Sequence, residues 1–573
     1  MILIQEIAPA KKISGLTSMV ISFDYNPYII DVLKGLPTYY YHSKDKVWEI
    51  PVCYLGRVLD ALTFYDDITL KLLDTPEEGF LPQKKYKLGP LTEEELKGFK
   101  ATPFNHQIEA VNFLLDHERA LLLDGCGTGK SLTMILLAET LKRRGIIDHC
   151  LVICGICSLR SNWEKEINKF STEKCKVIGK YITRNGTTRF KPLKERAQQL
   201  KNPIDEFFVI INIEALRSDE ILEAIRKSKN NFGLMLCDEA HKIGNKTNSQ
   251  ANNLLKLSAD FMVPATGTLI TNNPLSAYTP SAWIKIENAT LTTFKSQYCN
   301  FGGFGGNQIT GFKNLEVLRE VIAANSIRRT LYDVREDMPP RIVDPVILEM
   351  DDEQRRFYEA IKEGVKEEAD KVELKSSNLL ALTTRLRQAT VCPAVLTTQD
   401  IESVKIQRAI EMTEELVEQG EKVVIFSNFK EPLYQLATKL SQFRLSVNTG
   451  DTSDSEIARN VEKFQEDPNE QVFLASYSKM GTGWTLNSAA NMICLDTPFT
   501  YAMLEQALER IHRINNTRPA YVSILVCEGT IDERVQEIVE SKKDLGEFLV
   551  DGEGSYAANT KLSDELYAII KSL

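Results

Sequence analysis

Eight residues from Asp124 to Ser131, DGCGTGKS, follow the apolar run ALLLD and lead into the amphipathic text SLTMILLAETLKRR. Glycines in such a loop let backbone amides approach phosphate oxygens where a side chain would intervene, and the start of a helix turns its free N–H groups on the same anion. Gly127, Thr128 and Gly129 are therefore candidates for nucleotide binding. Lys130 can place its ammonium on the β and γ phosphates, and Ser131 can ligate Mg²⁺. The strict loop opens with glycine, where this chain has Asp124. Further on, LMLCDEAH ends an apolar run on Asp238 and Glu239. One carboxylate there can hold Mg²⁺ while its neighbour polarises an attacking water. Gln107, in TPFNHQIEAVNFLL, is placed to offer its amide to an adenine edge. In QALERIHRI, Arg510 and Arg513 stand at i and i+3 on one face of an expected helix. Opposite a phosphate loop they read as arginine fingers, worth roughly 10³ to 10⁵ in rate; without one, as a basic helix face. ATP and Mg²⁺ are the expected cofactors.

These groups need elements to hold them. β-branched and leucine-rich runs alternate with helical text from about 105 to 545, which predicts a parallel α/β architecture. One nucleotide-fold unit contains ALLLD, CLVIC, FFVII and LMLCD; a second contains KVVIF, QVFLA, MICLD and VSILV. Between them, charged text such as EQRRFYEAIKEGVKEEADKVELK predicts a helical insertion. Before residue 100, TYYYHSKDKVWEIP and a proline-punctuated linker predict a small α+β accessory domain. The expected division is 1–95 accessory domain, 96–280 first lobe, 281–405 insertion and connection, 406–545 second lobe and 546–573 tail.

With 573 residues the chain exceeds what one core usually serves. No apolar run reaches membrane-spanning length, and the N-terminus lacks signal-peptide order, so a cytoplasmic protein is expected, of viral or bacterial type from its compact length. The 11 cysteines mostly sit in apolar strand-like runs and read as reduced, buried thiols. Cys154 and Cys157 have redox or zinc spacing, but no second pair accompanies them, and a strand-to-helix turn is the simpler reading. A net charge of −10 argues against nucleic-acid binding by the whole surface. It leaves room for a local track between Lys180 and Lys201, which reads equally well as a solvated loop and helix face.

The phosphate loop, the DEAH box, TGT at 266–268 and QALERIHRI occur in the order of helicase superfamily two motors. The resemblance sharpens towards the Swi/Snf ATPases through LVICGICSLRSNWEKEINKF, ATGTLITNNPLSAY, SIRRTLYDVREDMPPR, DDEQRRFYEAI and LRQATVCP. That family's loop commonly opens with aspartate, so Asp124 fits. The resemblance implies two tandem RecA-like lobes with ATP bound between them, Gly483 and Gln506 adding nucleotide contacts, and Thr266, Gly267 and Thr268 coupling hydrolysis to movement. It also implies that Ser158, Asn162, Ser427, Asn428, Ser476 and Lys479 grip a DNA backbone, although Ser158 reads equally well as a helix cap. SKMGTGWTLNSA departs from the family's paired glycines, and its Thr485 resembles the annealing-helicase branch. FDYNPYIIDVLKGLPTYYYHSKDKVWEIPVCYLGRVL is similar to that branch's HARP-type domain, anchored on Tyr41, Lys46, Trp48 and Pro51. Trp48 is then a DNA-contact candidate; a plain hairpin with a buried Trp48 would give the same text. The expected function is an ATP-driven double-stranded DNA translocase that remodels branched or forked DNA by annealing or fork regression, as a monomer with double-stranded or forked DNA and replication or repair proteins as partners. The rivals are a strand-separating DNA or RNA helicase and a motor that displaces proteins from DNA. No nuclease motif follows residue 545.

Overall fold

The computed structural model of the chain describes residues 2–7, 18–34, 36, 39–51, 58, 62, 68–71, 86–125, 127–155, 159–184, 188–244, 248–286, 290–302, 308–371, 376–482 and 484–551. The fold is α/β, with two compact units: one built on residues 1–124, 129–328 and the segment from Gly546, the other on 125–128 and 329–545.

The first unit is organised by a parallel sheet in the order Ser326–Ile327, Leu121–Leu122, Phe261–Ala265, Phe232–Asp238, His149–Cys154, Phe208–Asn212 and Cys175–Val177. Its central strands are buried apart from the end residues His149 and Asp238, which is why their sequences are continuous apolar runs rather than alternations. Helices Asn105–His117, Lys130–Arg143 and Leu159–Phe170 cover the sheet, and Leu114, Ile135, Leu137, Trp163 and Ile167 join Val152, Ile210 and Leu236 in one core. Because every strand is parallel, all carboxyl ends lie on one edge, where open α/β sheets place ligands.

The second unit repeats the plan with the order Arg341–Leu348, Ala520–Cys527, Asn491–Cys494, Val423–Ser427, Val472–Ser476 and Leu445–Asn448, again all parallel. The strand Arg341–Leu348 lies inside the stretch expected to be a helical insertion. It is an edge strand, carries Pro345, and has no fully buried residue, so it lacks the apolar run that marked its neighbours. The insertion also holds the antiparallel pair Cys299–Gly302 and Gln308–Phe312, together with helices Asp352–Lys371 and Ser376–Val391. Helix Ile531–Val550 runs past residue 546, where the tail was expected to begin.

At the N-terminus a sheet in the order Tyr40–His42, Val47–Pro51, Ser18–Phe23, Ile2–Ile7, Ile68–Lys71 accompanies helix Pro27–Lys34. The segment from Tyr86 to Glu95, which the sequence pattern places in the accessory domain, packs on the first sheet's core through Tyr86, Leu88 and Leu91, continuous with Leu96. Arg144 fastens it, bonding Glu95 and the carbonyls of Gly89 and Pro90.

Candidate functional site

The phosphate loop owes its path to two glycines. Gly127 has φ 84° and Gly129 φ 92°, left-handed values that a side chain would strain. Helix Lys130–Arg143 begins immediately after Gly129, so its first N–H groups open at the loop. A Cβ on Gly129 would lie 2.5 Å from Gln107 Nε2. Gln107 is buried; its Nε2 donates to the Gly129 carbonyl at 3.3 Å, and its Oε1 accepts from the Phe104 amide at 3.0 Å. The amide expected at an adenine edge thus braces the loop. Thr128 Oγ1 donates to the Gly125 carbonyl at 2.8 Å, and Lys130 Nζ to the Asp124 carbonyl at 2.9 Å. Ser131 is half-buried in the first turn of that helix.

Asp238 ends its strand paired in register with Ala265, so the acid pair and Thr266 emerge side by side. Trp163, from helix Leu159–Phe170, donates its indole N–H to Asp238 Oδ2 at 2.9 Å and fixes that carboxylate. Glu239 adopts φ 53°, which turns the chain sharply after the strand. Gly155 lies against that turn: a Cβ there would come within 2.7 Å of Glu239 Cβ. His241 Nδ1 sits 3.0 Å from Thr266 Oγ1 and 3.2 Å from Glu239 Oε2. Thr266 Oγ1 also accepts the Thr268 amide at 3.1 Å, so the coupling candidates Thr266, Gly267 and Thr268 are wired to the acid pair through one imidazole. Arg328 donates to the carbonyls of Leu123 and Gly267 and pairs with Asp551.

The two carboxylates are held apart in protonation. Burial, then the charge of Glu239, raises Asp238 above the usual carboxylate range. Burial would raise Glu239 as well, but the His241 bond and the cations Lys130 and Lys242 hold it below that range. Beyond the His241 contact, Oε2 of Glu239 is buried and has no further hydrogen bond among the described residues, which leaves it able to accept from a water. Ser131, Asp238 and Glu239 therefore suit a hydrated Mg²⁺ with phosphates.

In the second unit, helix Tyr501–Ile511 ends before Arg513, so Arg510 and Arg513 do not share a helical face as expected. They converge differently: Arg510 Nη1 and Arg513 Nη2 both donate to the Trp484 carbonyl, at 3.3 and 2.8 Å. Gln506 is buried on the same helix, and Gly483 falls outside the described residues. Ser427 and Ser476 are buried register partners on neighbouring strands. The Ser427 hydroxyl is spent on Asp496, which also accepts the backbone and side-chain N–H of Asn428 and a guanidinium N–H of Arg387. Burial thus makes Ser427 a support for the Asn428 turn rather than a surface contact. Ser476 Oγ is 3.1 Å from Ser478 Oγ, and Lys479 reaches Asp454 at 3.5 Å.

Of the remaining candidates, Asn162 is partly exposed on helix Leu159–Phe170, and Ser158 lies outside the described residues, as does Cys157. Trp48 is corrected: it is buried, with Tyr39 and Tyr41 packed on it at ring-centroid distances of 5.5 and 5.0 Å, and has no free face for a base. In the N-terminal domain the exposed rings among the described residues belong to Tyr25, Tyr28, Tyr39, Tyr40 and Tyr41. Sequence reasoning also passed over Trp163, His241, Arg328 and Asp496. The strand-end acids and helix starts were visible, but not the long-range partners.

The SNF2-related domain model matches residues 106–395, half of the chain, and the helicase conserved C-terminal domain matches 405–515. A Mycoplasma pneumoniae protein named an uncharacterized ATP-dependent helicase is 26% identical over 508 residues, covering 87% of this chain and 46% of its own. This chain thus spans about half of that relative. The SWI/SNF-related matrix-associated actin-dependent regulator of chromatin subfamily A-like protein 1 of Drosophila melanogaster is 22% identical over 558 residues, with 91% and 66% covered. The Sulfolobus solfataricus SWI2/SNF2 ATPase core in complex with dsDNA is 22% identical, covers 82% of this chain and 95% of its own, and superposes with a TM-score of 0.35. With its phosphate loop, DEAH carboxylates and threonine–glycine–threonine turn on one sheet edge, and with that domain match over half its length, the chain belongs to the SNF2-related family.

Proposed function

We propose that this protein hydrolyses ATP to translocate on double-stranded DNA, and that it acts on branched or forked DNA by reannealing or regression. The observation that carries the motor reading is the single sheet edge on which Lys130, Asp238, Glu239 and Thr266 stand on or beside adjacent strand ends. Bound Mg²⁺ would neutralise phosphate charge, with Ser131 and Asp238 holding it. Glu239, kept ionised beside His241, accepts a proton from the attacking water. Lys130 steadies the terminal phosphates. His241 then relays the change around Glu239 to Thr266, whose hydroxyl also holds the Thr268 amide. By family resemblance, Arg510 and Arg513 are the candidates for transition-state cations. The relatives named ATP-dependent helicases support ATP use.

The fork reading draws on the exposed N-terminal tyrosines and on the resemblance of Thr485 and of the segment around Trp48 to the annealing-helicase branch. In this reading the N-terminal domain is of the HARP type. Movement is tested by displacement of a third strand from a DNA triplex, which needs translocation without duplex unwinding. The proposal expects ATP-dependent displacement and regression of model forks. Strand separation from a tailed duplex without triplex displacement would favour a conventional helicase. Clearance of a bound protein without fork regression would favour a protein-displacing motor.

A further inference from the structure

The hairpin formed by Lys180–Ile182 and Thr188–Phe190 is used by nothing described so far. It leaves the carboxyl end of the sheet's edge strand, Cys175–Val177, and therefore projects from the same edge that carries the nucleotide site. Its position is fixed from below. Gly179, at φ 79°, turns the chain into it, and the Lys191 amide donates to the Gly179 carbonyl at 2.8 Å. Phe190 is clasped between guanidiniums, with Arg160 3.5 Å and Arg196 5.6 Å from its centroid, and Lys180 pairs with Glu164. Arg160 and Glu164 belong to helix Leu159–Phe170, whose first turn carries Asn162, so the hairpin is mounted directly beside that contact candidate.

Side chains alternate across a hairpin, and register separates its two faces. Lys180 and Phe190 pair on the face turned to the helix, while Tyr181 pairs with Arg189 on the other. Tyr181 is 40% exposed, and Arg184 and Arg189 are both exposed. Among the described residues neither arginine has an ion-pair partner, whereas Lys180 and Lys191 each have one. An arm bearing guanidiniums with no ion pair among the described residues, on a molecule of net charge −10, is a local match for a polyanion. We infer that this hairpin is a DNA-backbone contact of the first lobe, with Arg184 and Arg189 taking phosphates of the duplex that Asn162 approaches. The inference rests on the duplex-DNA reading above.

The test is fluorescence anisotropy of the full chain with a labelled duplex across a salt series, comparing wild type, R184A/R189A and R184K/R189K. Losing two phosphate contacts should weaken binding roughly tenfold at moderate salt and make the slope of log K against log salt shallower by about 1.8. The lysine pair keeps both charges and should restore most of the affinity, which a misfolded hairpin would not. If wild type fails to bind duplex, the DNA reading itself falls. If wild type binds and R184A/R189A matches it in affinity and slope, the hairpin inference is overturned while the DNA reading stands. Retained DNA affinity with lost binding to anionic phospholipid vesicles would also overturn it.

Discussion

At the scale of single residues, Glu239 is the group whose chemistry and surroundings agree most closely. It is held ionised next to a partly protonatable neighbour, Asp238, and beyond the His241 contact its buried Oε2 has no further hydrogen bond among the described residues. Glu239→Gln should keep binding of ATP and Mg²⁺ but lower turnover by roughly 10² to 10⁴, because an amide cannot accept the proton. Parallel nucleotide-binding and phosphate-release measurements separate the two, and an equal loss of binding would show a structural role. Trp163→Phe removes one N–H from Asp238 while preserving most of the ring volume. It should raise the Mg²⁺ concentration needed for half-maximal turnover several-fold, with thermal stability changed by no more than about 1–3 kcal/mol. An unchanged Mg²⁺ dependence would remove Trp163 from the site.

At the scale of elements, legibility followed burial. Strands buried on both faces, such as Phe208–Asn212 and Val423–Ser427, are unbroken apolar text and were readable. The edge strand Arg341–Leu348 was not, because its Pro345 and exposed positions resemble a linker. The phosphate loop, the acid pair and the threonine turn were legible since each depends on local sequence. Gln107's brace, the Trp163 donor and the shared Trp484 carbonyl depend on residues distant in sequence, and no local pattern announces them. The packing of Tyr86–Glu95 was missed for the same reason: its fastening residue, Arg144, lies at the end of another helix. The side-chain bond to Arg144 counts most among the contacts that, against partial burial, lower Glu95 to about 2. A depressed folded-state value adds stability that is present above the ordinary 4.5 and lost as pH falls towards about 2. Arg144→Ala should therefore unfold at lower denaturant near neutral pH, and its deficit should shrink over that acidic window. A deficit independent of pH would mean that packing, not charge, is what Arg144 supplies.

At the scale of the whole molecule, the proposed function puts ATPase chemistry and substrate choice in different stretches of the chain. The nucleotide groups all follow Tyr86, while the exposed cluster Tyr25, Tyr28, Tyr39, Tyr40 and Tyr41 precedes it. A chain beginning at Tyr86 should stay folded, keep duplex-stimulated turnover and lose most of its preference for forks. One beginning at residue 96 should be less stable, since it lacks Tyr86, Leu88, Leu91 and Glu95. Fork preference that survives in the Tyr86 chain would move junction recognition elsewhere. The central claim, ATP hydrolysis driven by duplex DNA at the Lys130 site, is met most directly by steady-state ATP turnover with single-stranded DNA, duplex DNA, forked DNA and RNA in parallel, for wild type and Lys130→Ala. The account predicts strong stimulation of wild type by duplex and forked DNA, weak stimulation by single strands and RNA, and no turnover above background in Lys130→Ala. Turnover indifferent to nucleic acid, or preserved without the Lys130 ammonium, would contradict it.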